Sequence, residues 1–391
     1  MAGGRRTAGL RDVSVNRRDF LRIAGTAVVG TALGAGCASR GPAPPIGTRP
    51  KEKRRFAKVL VSRERILGTV VGLRPYRPSG FVVRAERHGD RTIVHNYGHG
   101  GGGISLSWGT AYLAVEEVRD SRHRECAVLG CGAVGLATAC LLQRRGRKVT
   151  IYAGKLPPET TSNVPGSQWL PVSVYDPLLA GPEFEERLLF ASRIAFRCFQ
   201  DLVGYDYGVR WIDSFTVRDE PIRFPPYLED LADLYPEAED LLPSDHPFDR
   251  CFARRVRTLF VETPVYLEAV LNAFRIAGGR VVVREFGDRN DVLRLEEKVI
   301  VNCTGLGSGA LFGDEEMIPV KGQLVILPPQ PEVDYTLSAN GGTLYMHPRR
   351  DGILLGGTHE PGIASLTPNQ AEIERVLDGH ARLFGEPRIP S

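Results

Sequence analysis

The 391-residue sequence predicts an α/β fold in two lobes, one on a parallel sheet and one on a mixed or antiparallel sheet. Three observations predict it. The run LGCGAVG (129–135) sets a glycine-rich turn between a short apolar strand and a helical stretch, and a second strand follows at 148–153. From 171 to 261 the pattern turns rich in Pro, aromatic and acidic residues with few periodic runs, as expected of a separate lobe with irregular connections. The length suffices for two lobes with a sizeable shared core, and 42% apolar with 25% charged residues is ordinary for a soluble globular chain.

The chain opens on a leader. NRRDFLR (16–22), followed by the apolar run 23–36, resembles a twin-arginine export signal, with Asn16 where Ser or Thr is usual. That run falls short of the roughly 20 residues a spanning helix needs, and its glycines suit removal better than anchorage. Cys37 closes LGAGC and is a candidate lipidation site and membrane tether, although Leu33 lies one place too far from it for the usual pattern. Residues 1–38 thus read as a signal segment and 39–55 as a Pro-rich linker with a basic end, implying a periplasmic or extracellular protein. Taking the leader's six arginines and two aspartates out of the net charge of +4 leaves a neutral body, which gives no electrostatic case for nucleic acid. Of the later cysteines, Cys126, Cys131, Cys140 and Cys303 read as small buried thiols, and a Cys198–Cys251 pairing stays open. No spacing suggests a metal site.

Residues 56–72 form a mixed stretch. LRPYRPSGFVVRAE (73–86) reads as a strand with a proline-marked entry, and 92–97 as another. A Gly-rich loop (99–103) leads into a helix over 104–118, and a charged connector (119–125) joins it to the strand 126–129. The helix 133–145 stops at Gly146 and passes to the strand 148–153. Beyond the irregular lobe come a helix (264–277), a strand at 280–284, the run VIVNCTG (299–305), strands at 323–327 and 353–357, and a last helix over 367–384, opening on Thr367-Pro368. There is no internal repeat.

Gly130-Cys131-Gly132-Ala133-Val134-Gly135 fits the Rossmann-like dinucleotide fingerprint. Gly130 permits the tight turn, Gly132 lets a pyrophosphate approach the backbone, and Gly135 lets helix pack on strand, with the phosphate charge at the helix start. The acidic residue expected at the end of the next strand is missing, since Gly154-Lys155 stands there. Ribose recognition is left to backbone or to another side chain, and Lys155 could instead favour a phosphate.

Five further blocks extend the reading. TTSNVPGSQWLP (160–171), VNCTG (301–305), LRPYRP (73–78), HNYGHGGGGISLSWG (95–109) and LYMHPRRDGILLGG (344–357) each resemble a segment of the flavin-dependent D-amino-acid oxidase family, and together they cover nearly all of residues 56–388. In that family the glycine-fingerprint strand opens the chain and the HNYGHGG-like loop nearly closes it. Here the order is inverted, so the chain resembles a circular permutant joined at 119–125, with its new ends between residues 384 and 56 on the surface of the substrate lobe. The resemblance implies an FAD-binding domain of residues 74–170 and 262–310, and a substrate-binding domain of 56–73, 171–261 and 311–391.

It also implies roles. FAD would be held by the fingerprint residues Gly130, Gly132, Ala133, Val134 and Gly135, by Lys155, Thr160, Thr161, Ser162, Gly166, Ser167, Gln168 and Leu170, by Phe286, Cys303, Thr304 and Gly305, and by Arg74, Gly100, Gly101, Gly103, Ile104 and Ser105. Arg74 would grip the substrate carboxylate with its planar guanidinium. The Tyr345 hydroxyl would donate to the same carboxylate, and the Gly101 carbonyl would accept from the amino group. Three fixed points leave one enantiomer's α-hydrogen facing flavin N5 for hydride transfer. The glycines at 100–103 are expected where backbone bends with positive φ beside the flavin. His95 and His99 read as structural, because hydride transfer from a neutral amine needs no enzymic base.

Two departures bear on the substrate. The family's glutamine after the tryptophan is Leu170 here, and the loop that usually supplies a lid tyrosine is short (338–343) and has none. Arg349 and Arg350 read as solvated turn residues, with reach to an acidic substrate side chain as the alternative. The implied reaction is oxidative deamination of a D-amino acid to a 2-oxo acid, ammonia and hydrogen peroxide, with oxygen as acceptor. A dehydrogenase feeding a membrane carrier, and a flavin-binding protein without catalysis, are the alternatives.

Overall fold

Residues 56–248, 250 and 252–385 are described by the structure, a computed structural model. The expected signal segment and linker, Cys37 and Cys251 lie outside the described residues.

The apolar runs around the fingerprint become the centre of a six-stranded sheet. Its strands are β2 (Val82–His88), β3 (Arg91–Tyr97), β4 (Glu125–Leu129), β5 (Lys148–Ala153), β10 (Arg280–Val283) and β11 (Val299–Asn302), in the order β10-β5-β4-β11-β3-β2. All neighbours are parallel except β2, which returns antiparallel on β3. Unbroken apolar strands such as ECAVL and VIVN need cover on both faces. On one face lie α1 (Gly103–Glu116), α2 (Ala133–Arg144), α3 (Pro182–Asp201) and α4 (Thr263–Ile276), closing a core with Val94, Val128, Ile151 and Val301. On the other, α5 (Arg289–Leu293) and α6 (Gly307–Phe312) cover Ile93, Leu129 and Ile300. From β4 the chain winds outward to β5 and β10, while β11 lies on its other side. The β4–β11 seam is therefore the switch point at which such sheets bind ligands.

The second sheet is larger. It comprises β1 (Gly68–Tyr76), β6 (Ser167–Gln168), β7 (Val209–Arg218), β8 (Glu239–Leu241), β9 (Phe252–Val261), β12 (Ile318–Leu327), β13 (Tyr335–Ala339), β14 (Leu344–Arg349), β15 (Gly352–Gly356) and β16 (Glu360–Pro361). The order is β1-β12-β15-β14-β13-β7-β9-β6, with β8 on β9 and β16 on β12, antiparallel except between β7 and β13. One face packs on α7 (Gln370–Phe384), where Ile373, Val376 and Leu377 meet Val325, Leu337, Met346 and Leu355. The mixed sheet expected for the second lobe is thus present, and the other face is left for the site.

Three expectations are corrected. The stretch 73–86 is two strands in different sheets. Pro78 and Gly80, the latter at φ +88, turn the chain between β1 and β2, and the Gly80 N–H donates to the Arg77 carbonyl. A boundary at 73/74 therefore falls inside β1, which pairs with β12 over its full length. Residues 171–261 are not all part of the second lobe. They include α3, the twenty-residue helix whose face of Leu188, Ala191, Ile194 and Ala195 packs into the first lobe. It crosses α1 so closely that a Cβ on Gly109 would collide with the Ala191 carbonyl. The last helix starts at Gln370, not 367.

The two ends of the described chain meet. Lys58 Nζ donates to the Gly385 carbonyl at 3.4 Å, Arg63 pairs with Glu374 and Asp378, and the Phe56 ring sits among Phe215, Phe248 and Tyr335.

Candidate active site between the two sheets

At the end of β4 the chain turns through Gly130 at φ +102, whose N–H donates to the Tyr152 carbonyl of β5 at 2.8 Å. A Cβ on Gly130 would stand 2.5 Å from the Cys303 carbonyl across the switch point, and one on Gly135 would collide with the Gly130 carbonyl. Side chains are excluded here by packing alone, so the strand–turn–helix geometry holds with or without a ligand. The α2 N-terminus carries no acidic residue, and the Ala133 N–H donates to Ser162 Oγ at 3.1 Å. Gly130, Gly132, Ala133, Val134, Gly135 and Ser162 are thereby gathered at one place. Cys303 and Thr304 leave β11 on the other side of the seam, Thr304 Oγ1 donating to Asn302 Oδ1 at 2.7 Å. Burial pushes the Cys303 thiol up to about 12, as it does those of Cys126, Cys131 and Cys140. Cys198 is likewise buried, in α3.

From this edge the segment 160–170 crosses to the large sheet. Thr160 Oγ1 donates to Asn163 Oδ1 at 2.7 Å, and Thr263 Oγ1 to the Asn163 and Pro165 carbonyls at 3.2 and 2.8 Å. Gly166 fits against His347 and Leu354, where a Cβ would stand 2.7 and 2.9 Å from their atoms. Ser167 and Gln168 form β6 on β9. The Gln168 Oε1 accepts from Ser214 Oγ at 2.8 Å and Thr336 Oγ1 at 2.6 Å. Trp169 is fully buried, its Nε1 donating to the Ser105 carbonyl of α1, and the Leu170 N–H donates to Ser105 Oγ. Gln168, Leu170 and Ser105 thus serve to join α1 to the large sheet, while Thr161 is exposed.

Alternate residues of β1 set the centre of the site. Gly72 faces Val164 of the crossing segment, and a Cβ there would lie 3.1 Å from the valine. Tyr76 faces the Gly100 loop, its Cδ2 3.0 Å from where a Gly100 Cβ would stand. Arg74 lies between them on the same face. Its guanidinium extends over Gly322 of β12, where a Cβ would come within 2.5 Å of Nη1, and Nη1 donates to the Thr358 carbonyl at 3.3 Å. Tyr345 does the same from the other side. It pairs with Gly356 of β15, and its ring occupies the space a Gly356 side chain would need, next to Leu324 of β12. β12 and β15 are neighbours, so Arg74 over Gly322 and Tyr345 over Gly356 lie on adjacent strands, each in space left by a glycine. His347, one pleat along from Tyr345 with ring centroids 5.0 Å apart, is buried, and burial with the nearby Arg349 charge pushes its imidazole down to about 3.

The glycine loop departs from expectation. Positive φ occurs at Gly98 and Gly100, and Gly102 and Gly103 have ordinary helical-side values. Gly100–Gly102 pack instead on residues 172–174. The Gly101 N–H donates to the Ser173 carbonyl at 2.9 Å, and a Cβ on Gly102 would stand 2.7 Å from Val174. Gly101 is the exposed member, between buried Gly100 and Gly102. Gly103 and Ile104 begin α1.

His95 and His99 are structural by geometry. His99 Nε2 lies 2.9 Å from Thr110 Oγ1, with its imidazole pushed down to about 3 by burial, and His95 Nδ1 lies 3.2 Å from the Asn302 amide. Arg349 is not a solvated turn residue. It is 9% exposed, pairs with Asp351, and donates to the Asn163, Val164 and Pro165 carbonyls, so it clamps the crossing segment. Arg350 lies over the Tyr205 ring and its N–H donates to Glu262, away from Arg74. Lys155 stands exposed at the end of β5 without a hydrogen bond or ion pair among the described residues. Phe286 edges onto Tyr152 and lies under Arg284. Sequence reasoning missed Arg349 and Thr263, which donate to backbone carbonyls far along the chain, and Ser173, whose carbonyl accepts from Gly101; such backbone contacts leave no motif.

A family model, DAO: FAD dependent oxidoreductase, matches residues 5–117 and 125–390, and the chain belongs to this family. A D-amino-acid oxidase of Rubrobacter xylanophilus is 31% identical over 271 residues, 67% of this chain and 77% of that protein. Human D-aspartate oxidase is 27% identical over 256 residues, 64% and 73% of the two chains. Among solved structures, a glycine oxidase of Bacillus cereus superposes with a TM-score of 0.49 at 18% identity, covering 66% of this chain and 78% of that one. The cofactor is therefore FAD. The residues fit it, since the glycine turn at the switch point and a start of α2 free of acidic residues suit a dinucleotide.

Proposed function

We propose that this protein oxidises D-amino acids at the α-carbon, giving a 2-oxo acid and ammonia while reducing oxygen to hydrogen peroxide. One observation carries the reading: Arg74 of β1, between the crossing segment and the glycine loop, and Tyr345 of β14 lie over Gly322 and Gly356 of the adjacent strands β12 and β15, a pair suited to a carboxylate. Flavin binding alone does not need the Tyr345 hydroxyl. The relatives named D-amino-acid oxidase and D-aspartate oxidase support the same class. In this reading the six-stranded sheet holds FAD through the residues at its C-terminal edge, and the large sheet holds the substrate.

Each residue then has a physical task. Arg74, steadied by the Thr358 carbonyl, takes both carboxylate oxygens in a two-pronged grip. Tyr345 donates its hydroxyl to one of them. The Gly101 carbonyl accepts from the neutral amine, fixing a third point and so one enantiomer. Because the grip persists through the reaction, it orients more than it lowers the barrier. Bound FAD supplies the two-electron acceptor. Water then hydrolyses the imino acid.

Anaerobic mixing of the holoenzyme with D- and L-amino acids, acidic and basic ones included, is expected to bleach the flavin with D-enantiomers only. In air the same substrates should release peroxide. Arg74→Ala should cut kcat/KM at least about a hundredfold with an unchanged flavin spectrum. Flavin that stays oxidised across the panel would end the proposal, and turnover with an artificial acceptor but not oxygen would make the protein a dehydrogenase.

We further infer that the chain is a circular permutant of its family. Support comes from the meeting of residues 58 and 385, from the short joint between α1 and β4, and from the break in the family match between residues 117 and 125, inside that joint. A chain recut to begin at Glu125, with Gly385 linked to Phe56 through a few residues, should bind FAD as tightly as the parent. Failure of the recut chain to fold would count against it. Export by the twin-arginine route, which carries proteins already folded around a cofactor, is part of the same reading. Replacing Arg17 and Arg18 by Lys should hold the protein in the cytoplasm, and undiminished export would refute that part.

A further inference from the structure

We propose that Glu285 provides the carboxylate for the adenosine ribose of FAD, standing in for the acid that is absent after β5. In folds of this kind an acidic side chain at the end of the second strand accepts hydrogen bonds from the ribose hydroxyls. Here β5 ends at Ala153 and runs into Gly154 and Lys155, neither of which has a side chain that can accept them.

The neighbouring strand fills the gap. β10 runs parallel to β5 with Val283 beside Ala153, and the Arg284 N–H continues the ladder by donating to the Ala153 carbonyl at 3.0 Å. That register brings Glu285 alongside Gly154. A Cβ on Gly154 would lie 2.7 Å from Glu285 Cγ and 2.8 Å from its Oε1, and the three atoms nearest to it all belong to Glu285. The space a strand-end side chain would fill is therefore held by a carboxylate from the next strand. Glycine at 154 and glutamate at 285 are two halves of one exchange.

The carboxylate is also uncommitted. Glu285 is exposed and makes no hydrogen bond or ion pair among the described residues. Its neighbour Arg284 is engaged elsewhere, donating to Asp291 at 2.6 Å and lying over Phe286 with 4.6 Å to the ring centroid. The position is coupled to the fingerprint through β5, whose Tyr152 carbonyl receives the Gly130 N–H. An exposed, unpaired carboxylate beside the end of β5 is free to accept from the ribose hydroxyls.

The proposal rests on the FAD assignment and not on the substrate, so it is tested without turnover. FAD released on dilution of the holoenzyme is followed by its fluorescence, with melting at saturating FAD as the check on folding. Glu285→Gln should raise the dissociation constant for FAD about tenfold or more and lower the melting temperature at saturating FAD only by what the weaker binding accounts for. In a Glu285→Ala background, Gly154→Asp returns a carboxylate to the vacated space and should recover most of the affinity. Unchanged affinity in Glu285→Gln would overturn the assignment. So would a fall in melting temperature beyond what the weaker binding accounts for, with no recovery by Gly154→Asp, which would make Glu285 a part of the fold.

Discussion

The close seating of residues 163–170 between the two sheets is the constraint on which the rest of the site depends. Thr263 and Arg349 hold its carbonyls, Gln168 ties it to β7 and β13, and Trp169 with Leu170 ties it to α1. Each of these bonds is worth only about 1 kcal/mol net, but leaving such a buried group unpaired costs about 1–3 kcal/mol. The segment is therefore kept in one place less by attraction than by the cost of any alternative. Its position sets the distance between the glycine turn of the first sheet and Arg74 of the second.

Glycine acts here chiefly by absence. Gly322 and Gly356 remove two side chains from adjacent strands, and Arg74 and Tyr345 lie down in the space. A β-strand side chain normally stands off its sheet, so a pair that meets one small carboxylate in the proposed function needs this clearance. The same logic recurs at Gly154, whose missing side chain admits Glu285 from β10. Neither arrangement depends on unusual backbone, since positive φ is absent from all three positions.

What could be read in the sequence was local. The fingerprint at 130–135 was legible because a turn, a helix start and two strands fall within some twenty-five residues, and their bounds agree with the structure to a residue or two. The strand β1 was not legible as a separate unit, because Pro78 and Gly80 divide a continuous apolar-basic run between two sheets. α3 was missed among Pro-rich neighbours although its apolar residues recur at helical spacing. Arg349 looked solvated beside Arg350 and Asp351, and its burial against carbonyls nearly two hundred residues earlier has no sequence signal. The glycines 100–102 were expected to serve the cofactor, yet their lack of side chains is already demanded by residues 172–174. Side chains that meet only through tertiary packing leave no pattern along the chain.

The most direct measurement is the binding of a carboxylate that cannot be oxidised, such as benzoate, to the oxidised holoenzyme, read from the flavin absorbance spectrum. A saturable perturbation of the flavin bands is expected, lost in Arg74→Ala and weakened at least about tenfold in Gly322→Val, where the guanidinium is displaced, with the spectrum of the free holoenzyme unchanged in both. Carboxylate binding that leaves the flavin bands unmoved, or that is as tight in Arg74→Ala as in the parent, would contradict it.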